Sequence, residues 1–247
     1  EGGERVAEYA GLIADHYEKA EQWLPAAEMY EKAGVRAQEL SNPELALTHF
    51  KKVFALIEPE PHQNAWKVSV LEQIAHLLHL QARLVEAAET FRMMRQAADL
   101  DGDLSAQTKA LGALSRIQYE QQQYEAAWQA ADKAEQIAWL VGDDLELARI
   151  LLTKSVVYRH LGDPIQAVQT AQQALSIAER LESSDMILAC LKTLTLLAID
   201  AGRQAHVEHY IARLQALINR LDQAKIELAT IGAGFVALGE IYNRLGR

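Results

Sequence analysis

Hydrophobic and polar positions alternate along this chain with a helical period. In 143–161 the apolar residues Leu147, Leu151, Tyr158 and Leu161 fall mainly on one helical face. In 163–181 Ile165, Val168, Ala171, Leu175 and Ala178 do the same. Polar or helix-breaking residues interrupt the pattern at Gln22, Asn42, His62, Ala82, Gly102, Gln122, Gly142, Gly162, Glu182, Gly202 and Asp222, each twenty residues from the last. Four of these are glycines, which end a helix at positive φ without steric cost. Pro25, Pro43 and Pro164 sit just past a break, where the first helical turn needs no N–H, and Pro59 and Pro61 bracket another. The spacing predicts twelve helices of about 17 residues, over 4–20, 24–40, 43–58, 63–81, 84–101, 104–121, 124–141, 144–161, 164–181, 184–201, 204–221 and 224–245. Turns this short make neighbouring helices antiparallel. Two helices make a 40-residue unit: 62–101, 102–141, 142–181 and 182–221, with 22–61 a less regular fifth. Residues 1–61 read as irregular N-terminal helices and 222–247 as a terminal helix. The predicted fold class is all-α, a single α-solenoid over 1–247 in which each hairpin buries its faces against its neighbours.

The turns and packing positions carry a family resemblance. The tetratricopeptide (TPR) pattern places Leu-Gly and Tyr in a first helix, then Gly-x-Tyr-x-x-Ala in the turn and second helix. Its strongest match is Ala237-Leu238-Gly239-Glu240-Ile241-Tyr242-Asn243-Arg244-Leu245-Gly246. Tyr158-Arg159-His160-Leu161-Gly162-Asp163-Pro164-Ile165-Gln166-Ala167 and Gln122-Gln123-Tyr124-Glu125-Ala126-Ala127 come next. Ala46, Ala87, Ala127 and Ala167 mark where a second helix packs closely on a first. The chain thus resembles the TPR family over nearly its whole length, with a longer period than the 34-residue form. A HEAT/armadillo array fits the period but not the Gly-x-Tyr-x-x-Ala turn. The resemblance implies a right-handed superhelix of about 12 antiparallel helices that acts as a protein–protein interaction or ligand-sensing module. A narrower resemblance lies in Arg5-Val6-Ala7-Glu8-Tyr9-Ala10, Ala14-Asp15-His16-Tyr17-Glu18-Lys19-Ala20, Trp23 and Ala26-Ala27. This stretch is similar to a segment of signal-transduction ATPases with numerous domains (STAND) and related regulators. It implies a sensor arm whose nucleotide site lies outside this chain; a peptide-sensing transcriptional regulator is the further alternative.

Composition narrows the class. Of 247 residues, 41 are Ala and 34 are Leu, both strong helix formers. One cysteine, Cys190, removes a disulfide framework or a Cys-based zinc finger. A hydrophobic content of 50% without charge blocks argues against disorder. No apolar run approaches the roughly 18 residues of a membrane span. A cytoplasmic location is expected, without a membrane partner. The net charge of −10 disfavours a nucleic-acid partner, whose phosphates call for a basic surface. The chain opens Glu1-Gly2-Gly3 without an initiator Met, so a fragment of a larger signalling protein is expected.

Catalytic chemistry is missing from the pattern. There is no Gly-x-x-x-x-Gly-Lys-Ser/Thr, and Gly232-Ala233-Gly234 and Gly239 fall within a helix where they cradle nothing. His76/His79 and His206/His209 each place two imidazoles at i, i+3, but a zinc site needs more ligands than that. Cys190, beside Leu191 and Leu194, reads as a buried inert thiol. No catalysis, cofactor or metal is expected.

The resemblance puts the first helices on a concave face, and the turn positions index a stripe along it. It reads Ser69, Glu72, His76, His79; then Lys109, Gly112, Arg116, Tyr119; then Arg149, Leu152, Val156, Arg159; then Ala189, Lys192, Leu196, Ile199; and last Ala233, Val236, Glu240, Asn243. Five of these twenty are basic and two acidic, an excess that runs against the chain's overall charge. The partner-binding residues expected are His76, His79, Lys109, Arg116, Tyr119, Arg149, Leu152, Val156, Arg159, Lys192, Leu196 and Ile199. They would take a protein or peptide, acidic or ending in a carboxylate, with Arg116, Arg149 and Arg159 as its cationic contacts. The family's chaperone-tail clamp also uses asparagines, and none occurs in the stripe before Asn243. Lys154 occupies a packing position normally held by Leu, so either its stem snorkels out or the helix is rotated. In the terminal helix, Phe235, Leu238, Ile241 and Tyr242 form an apolar face expected to be exposed and to support a homodimer through 224–245, unless the helix folds back on 204–221.

Overall fold

The computed structural model describes the backbone of residues 2–224 and 228–246, with side chains from Tyr9 onward. Among these residues there are twelve α-helices and no strand. They are α1 (Gly2–Lys19), α2 (Trp23–Glu39), α3 (Pro43–Ile57), α4 (Asn64–Leu80), α5 (Leu84–Asp101), α6 (Leu104–Glu120), α7 (Tyr124–Val141), α8 (Asp144–Leu161), α9 (Pro164–Arg180), α10 (Ser184–Asp200), α11 (Gln204–Ala224) and α12 (Leu228–Arg244). The expected all-α solenoid of helical hairpins is what the chain forms.

The twenty-residue beat is built by the turns. Gly102, Gly142, Gly162 and Gly202 all sit at positive φ, between +65° and +84°. After three of them comes an aspartate that opens the next helix. Its N–H closes the Schellman ring of the helix just ended, as in Asp103 to the Ala98 carbonyl (2.9 Å) and Asp163 to Tyr158 (2.9 Å). Its carboxylate then accepts from the first turn ahead: Asp103 from Ala106 N–H, Asp143 from Glu146 and Asp163 from Gln166. Two residues therefore finish one helix and start another. At Glu21, Ser41, Ala82, Gln122 and Glu182 an ordinary L-residue takes the left-handed conformation instead.

The beat fails in one place and keeps its break in a looser form in another. The expected break at Asp222 does not occur; α11 continues to Ala224, because Leu214, Leu217, Ile218 and Leu221 keep one buried face through that point. At His62 the chain makes a longer turn from Ile57 to Asn64 containing Pro59 and Pro61, with no residue at positive φ. The start of the expected helix 224–245 falls on 225–227, outside the described residues.

The chain divides into two compact units, residues 1–117 and 118–247. In the first, Tyr30, Phe50, Ile57, Leu78, Phe91, Met94 and Ile117 are the largest enclosed side chains. Gly34 lies against Phe50, and a Cβ there would stand 3.0 Å from the ring. A polar cluster joins α1, α2 and α3. The Tyr30 hydroxyl has one proton to give and lies within hydrogen-bond reach of both the Asp15 and Glu18 carboxylates, while Lys52 Nζ donates to that hydroxyl at 2.7 Å and to Asp15 at 3.0 Å. The Tyr30 and Lys52 hydrogen bonds hold Asp15 below the usual carboxylate range, and burial pushes the Tyr30 hydroxyl far up.

In the second unit, Leu147, Ile150, Leu191, Leu194 and Leu214 fill the core. The seam of α7 is alanine throughout, at 127, 131, 134 and 138. Ala46 and Ala87 in the first unit and Ala127 and Ala167 in the second are all fully enclosed, as the close crossings require. The buried face of α9 is Ala167, Ala171, Ala174, Leu175 and Ala178; Ile165, expected on it, is 69% exposed instead. α12 packs back on α10 and α11, so Leu238 and Ile241 are buried rather than exposed, and Gln215 Nε2 donates to the Tyr242 hydroxyl at 3.0 Å. Gly234, within a helix as expected, makes this packing possible: a Cβ there would lie 2.6 Å from Ile218 Cγ1. Phe235 and Val236 stay exposed.

Ala82→Gly should stabilise the chain and Gly142→Ala destabilise it, each by up to about 1 kcal/mol in urea unfolding. A Cβ at Gly142 would meet nothing within 4 Å, so its cost is conformational alone. A loss of stability in both variants would contradict the backbone assignment at Ala82. The Asp15 cluster makes a second prediction. Because the Asp15 pKa is depressed on folding, its contribution is present above the unfolded value and fades as pH falls through the lower folded one. Tyr30→Phe removes the largest cause, so loss of stability on acidification should begin at higher pH than in the parent, as read by urea midpoints between neutral pH and acid.

Candidate functional site

The first helices of the hairpins bear the expected stripe, and its register depends on α8. Lys154 keeps the packing position of a Leu and is 5% exposed. It neither snorkels out nor rotates the helix. α7 brings two acids to it instead: Nζ lies 2.9 Å from Asp132 Oδ1 and 2.7 Å from Glu135 Oε2, with the Trp128 ring centroid 5.4 Å away. Burial lowers the Lys154 pKa, but the hydrogen bonds to Glu135 and Asp132 outweigh it and leave the amine above its ordinary value. Leu147, Leu151 and Val157 are buried on the same side. Arg149, Leu152, Val156 and Arg159 are left on the accessible side of α8.

In the first unit, α4 and α6 carry their part of the stripe. His76 Nε2 lies 3.8 Å from Glu72 Oε1, and its ring meets Phe91 edge-on at 5.6 Å. The His76 hydrogen bond lowers the Glu72 pKa, and the charge of Lys109 on α6 adds to that, which sets Glu72 between the two helices. His79 is half-buried and Lys109 exposed. Arg116 is half-buried, and its enclosed Nε–H finds no acceptor among the described residues.

In the second unit the stripe crosses α8, α10 and α12, which are tied by ion pairs. Arg159 Nε binds Asp200 Oδ2 at 2.5 Å, and Arg244 reaches the other oxygen of Asp200 at 3.1 Å. Lys192 Nζ binds Glu240 Oε2 at 2.5 Å. Arg149 pairs along its own helix with Glu146 at 3.1 Å. Between these pairs Leu152, Val156, Leu196 and Ile199 are partly exposed. At the α8 end, Tyr119 and His160 share a hydrogen bond of 3.1 Å between Oη and Nε2, and His160 stacks on Tyr124 with ring centroids 4.6 Å apart. Burial pushes the Tyr119 hydroxyl up.

The main correction to the sequence reading is electrostatic. Arg149, Arg159 and Lys192 already hold carboxylates of this chain. The sequence reading missed Asp200 and Arg244. The signal was present, since Asp200 lies one repeat plus one residue beyond Arg159, but it needs the side-chain geometry to be read. His206 and His209 flank Tyr210, at 6.4 and 5.5 Å between ring centroids, and among the described residues no group of three or more His, Cys, Asp or Glu is placed to hold a metal. Burial pushes the Cys190 thiol up to about 12, so it is inert at neutral pH. No described helix is long and apolar enough to cross a membrane.

No family model and no curated protein matches the sequence. Its likeness is to solved structures, and it is a likeness of fold. BtubC (BKLC) of P. vanneervenii matches 89% of this chain and 92% of its own, at 15% identity and a TM-score of 0.72. A Podospora anserina kinesin light chain described as having nearly identical TPR-like repeats matches 79% of this chain and 96% of its own, at 14% identity and a TM-score of 0.57. The Rap conjugation gene regulator of plasmid pLS20, solved with the Phr* peptide, matches 98% of this chain and 77% of its own, at 16% identity and a TM-score of 0.60. With the hairpin geometry above, these define the class: a TPR-like α-solenoid.

Lys154→Leu should cost about 1–3 kcal/mol in urea unfolding, because Asp132 and Glu135 lose their shared cation. Adding Asp132→Asn and Glu135→Gln should recover much of that loss. A triple variant no more stable than Lys154→Leu would show that the charges are not what the lysine answers.

Proposed function

We propose that this chain is a non-catalytic, peptide-binding TPR-like module whose ligand lies along the first-helix stripe. The observation that carries the reading is the strip of Leu152, Val156, Leu196 and Ile199. These aliphatic side chains are left partly exposed on one face of α8 and α10 and framed by the Arg159–Asp200 and Lys192–Glu240 pairs. An aliphatic strip with a charged rim suits an extended peptide whose apolar side chains supply the affinity. The fold-level neighbour solved with the Phr* peptide supports a peptide rather than a small ligand. Arg159 is the cation in the second unit for an acidic side chain or terminal carboxylate, and that group would displace Asp200 there. A sensing arm of a STAND-type ATPase or of a peptide-sensing regulator is the finer form of the same reading. It rests on the residue pattern of α1 and α2, and finding a phosphate-binding loop or a helix-turn-helix encoded alongside this chain would test it. Homodimer formation through α12 would now rest on its exposed Leu228, Phe235 and Val236, and solution scattering against concentration tests it.

A peptide selected by phage display on the full chain should lose at least about tenfold in affinity with Leu152→Asp/Leu196→Asp, which places charges in the strip. The unmodified chain should bind peptides ending in a free carboxylate more tightly than their amides, and Arg159→Glu should abolish that preference. Unchanged binding by Leu152→Asp/Leu196→Asp, with a normal circular-dichroism melt, would remove the groove as the site.

A further inference from the structure

A cavity of about 690 Å³ opens on the second-helix side of the hairpins in the second unit, between α9 and α11, with α10 as its floor. All of it lies within residues 159–210. Its walls are mainly apolar, with Val168 of α9, Leu194 and Leu197 of α10, and Tyr210 of α11, and α9 adds the uncharged Gln169 and Gln172. Its charged groups collect at one end. Arg159 and His160 lie at the end of α8, Asp200 closes α10, Arg203 immediately precedes α11 and His206 lies in its first turn. Two arginines and two histidines there face one aspartate. That aspartate is already shared by Arg159 and Arg244, while Arg203 has no ion-pair partner among the described residues. Farther along, α9 and α11 are tied by the Glu179–Arg213 pair, which leaves the Ile165–His206 end open. The volume falls within the range of small-molecule sites, and apolar walls with a few convergent polar groups are their usual lining.

We propose that this cavity is a second ligand site, distinct from the peptide stripe, that takes a small amphipathic anion. The apolar body of the ligand lies along Val168, Leu197 and Tyr210, and its carboxylate sits against Arg203. Charge complementarity selects the anion over a neutral or cationic molecule of the same length. Arg159 and Asp200 belong to both sites, so variants at Arg203, Ile165 and Val168 separate them.

The test is calorimetric titration of the full chain with decanoate, decanol and decyltrimethylammonium, each below its critical micelle concentration. Decanoate should bind one to one, decanol about tenfold more weakly, and the cation more weakly still. Arg203→Gln should abolish the preference for decanoate over decanol. Val168→Trp should fill the cavity and remove binding. Ile165→Glu places a negative charge at the mouth on a residue 69% exposed, so it keeps the fold and should repel decanoate even if Val168→Trp fails to fold. Equal binding of all three probes, or decanoate affinity unchanged in both Ile165→Glu and Arg203→Gln, would overturn the proposal. Leu152→Asp/Leu196→Asp should leave decanoate binding intact, and its loss there would assign the anion to the stripe instead.

Discussion

The two-residue joint between helices is the constraint on which the other features depend. A residue at positive φ ends one helix, and the next residue both completes that ending and caps the helix ahead, as at Gly102-Asp103, Gly142-Asp143 and Gly162-Asp163. A joint this short leaves no freedom of direction, so successive helices must run antiparallel and start in step. Starting in step means that equivalent residues recur at the crossings. Close crossings admit only small side chains, hence the enclosed alanines at 46, 87, 127 and 167. The same register fixes which residues remain on the open side. The accessible stripe of each first helix is thus a consequence of its turn, with no separate instruction needed.

That chain of dependence explains what the sequence made legible. Punctuation and 3.6-periodicity are local properties, and the bounds of α5, α7 and α8 could be read from them directly. The readings that failed are those settled by packing at a distance. Asp222 resembles a break, but the apolar face running from Leu214 to Leu221 overrides it. Leu238 and Ile241 looked stranded because nothing in the sequence says that Gly234 lets α12 press against Ile218. Lys154 looked misplaced until α7 supplied Asp132 and Glu135, two residues that mean little without the crossing that brings them together. For the candidate site, the positions on each helix were legible and the partners between helices were not. Asp200 meets Arg159 and Arg244 only because successive first helices lie side by side.

The distribution of charge bears on how such a stripe can bind. Of the 34 acids, 12 lie in residues 1–61 against 6 bases, and 22 lie in 62–247 against 18. The repeats are close to neutral, and in the second unit the basic stripe is matched locally by Asp200, Glu240 and Glu146. An acidic ligand at Arg159 would exchange one carboxylate for another in a partly solvated setting. Partly exposed ion pairs are worth little, and such an exchange is close to neutral in free energy. Affinity must then come from burying Leu152, Val156, Leu196 and Ile199, at about 25 cal/mol for each Å² of apolar surface removed from water. The ion pairs serve a different purpose. In the proposed mode they would penalise a ligand that brings like charge to Asp200 or Glu240 without displacing it, so they would set selectivity while the aliphatic strip would set strength.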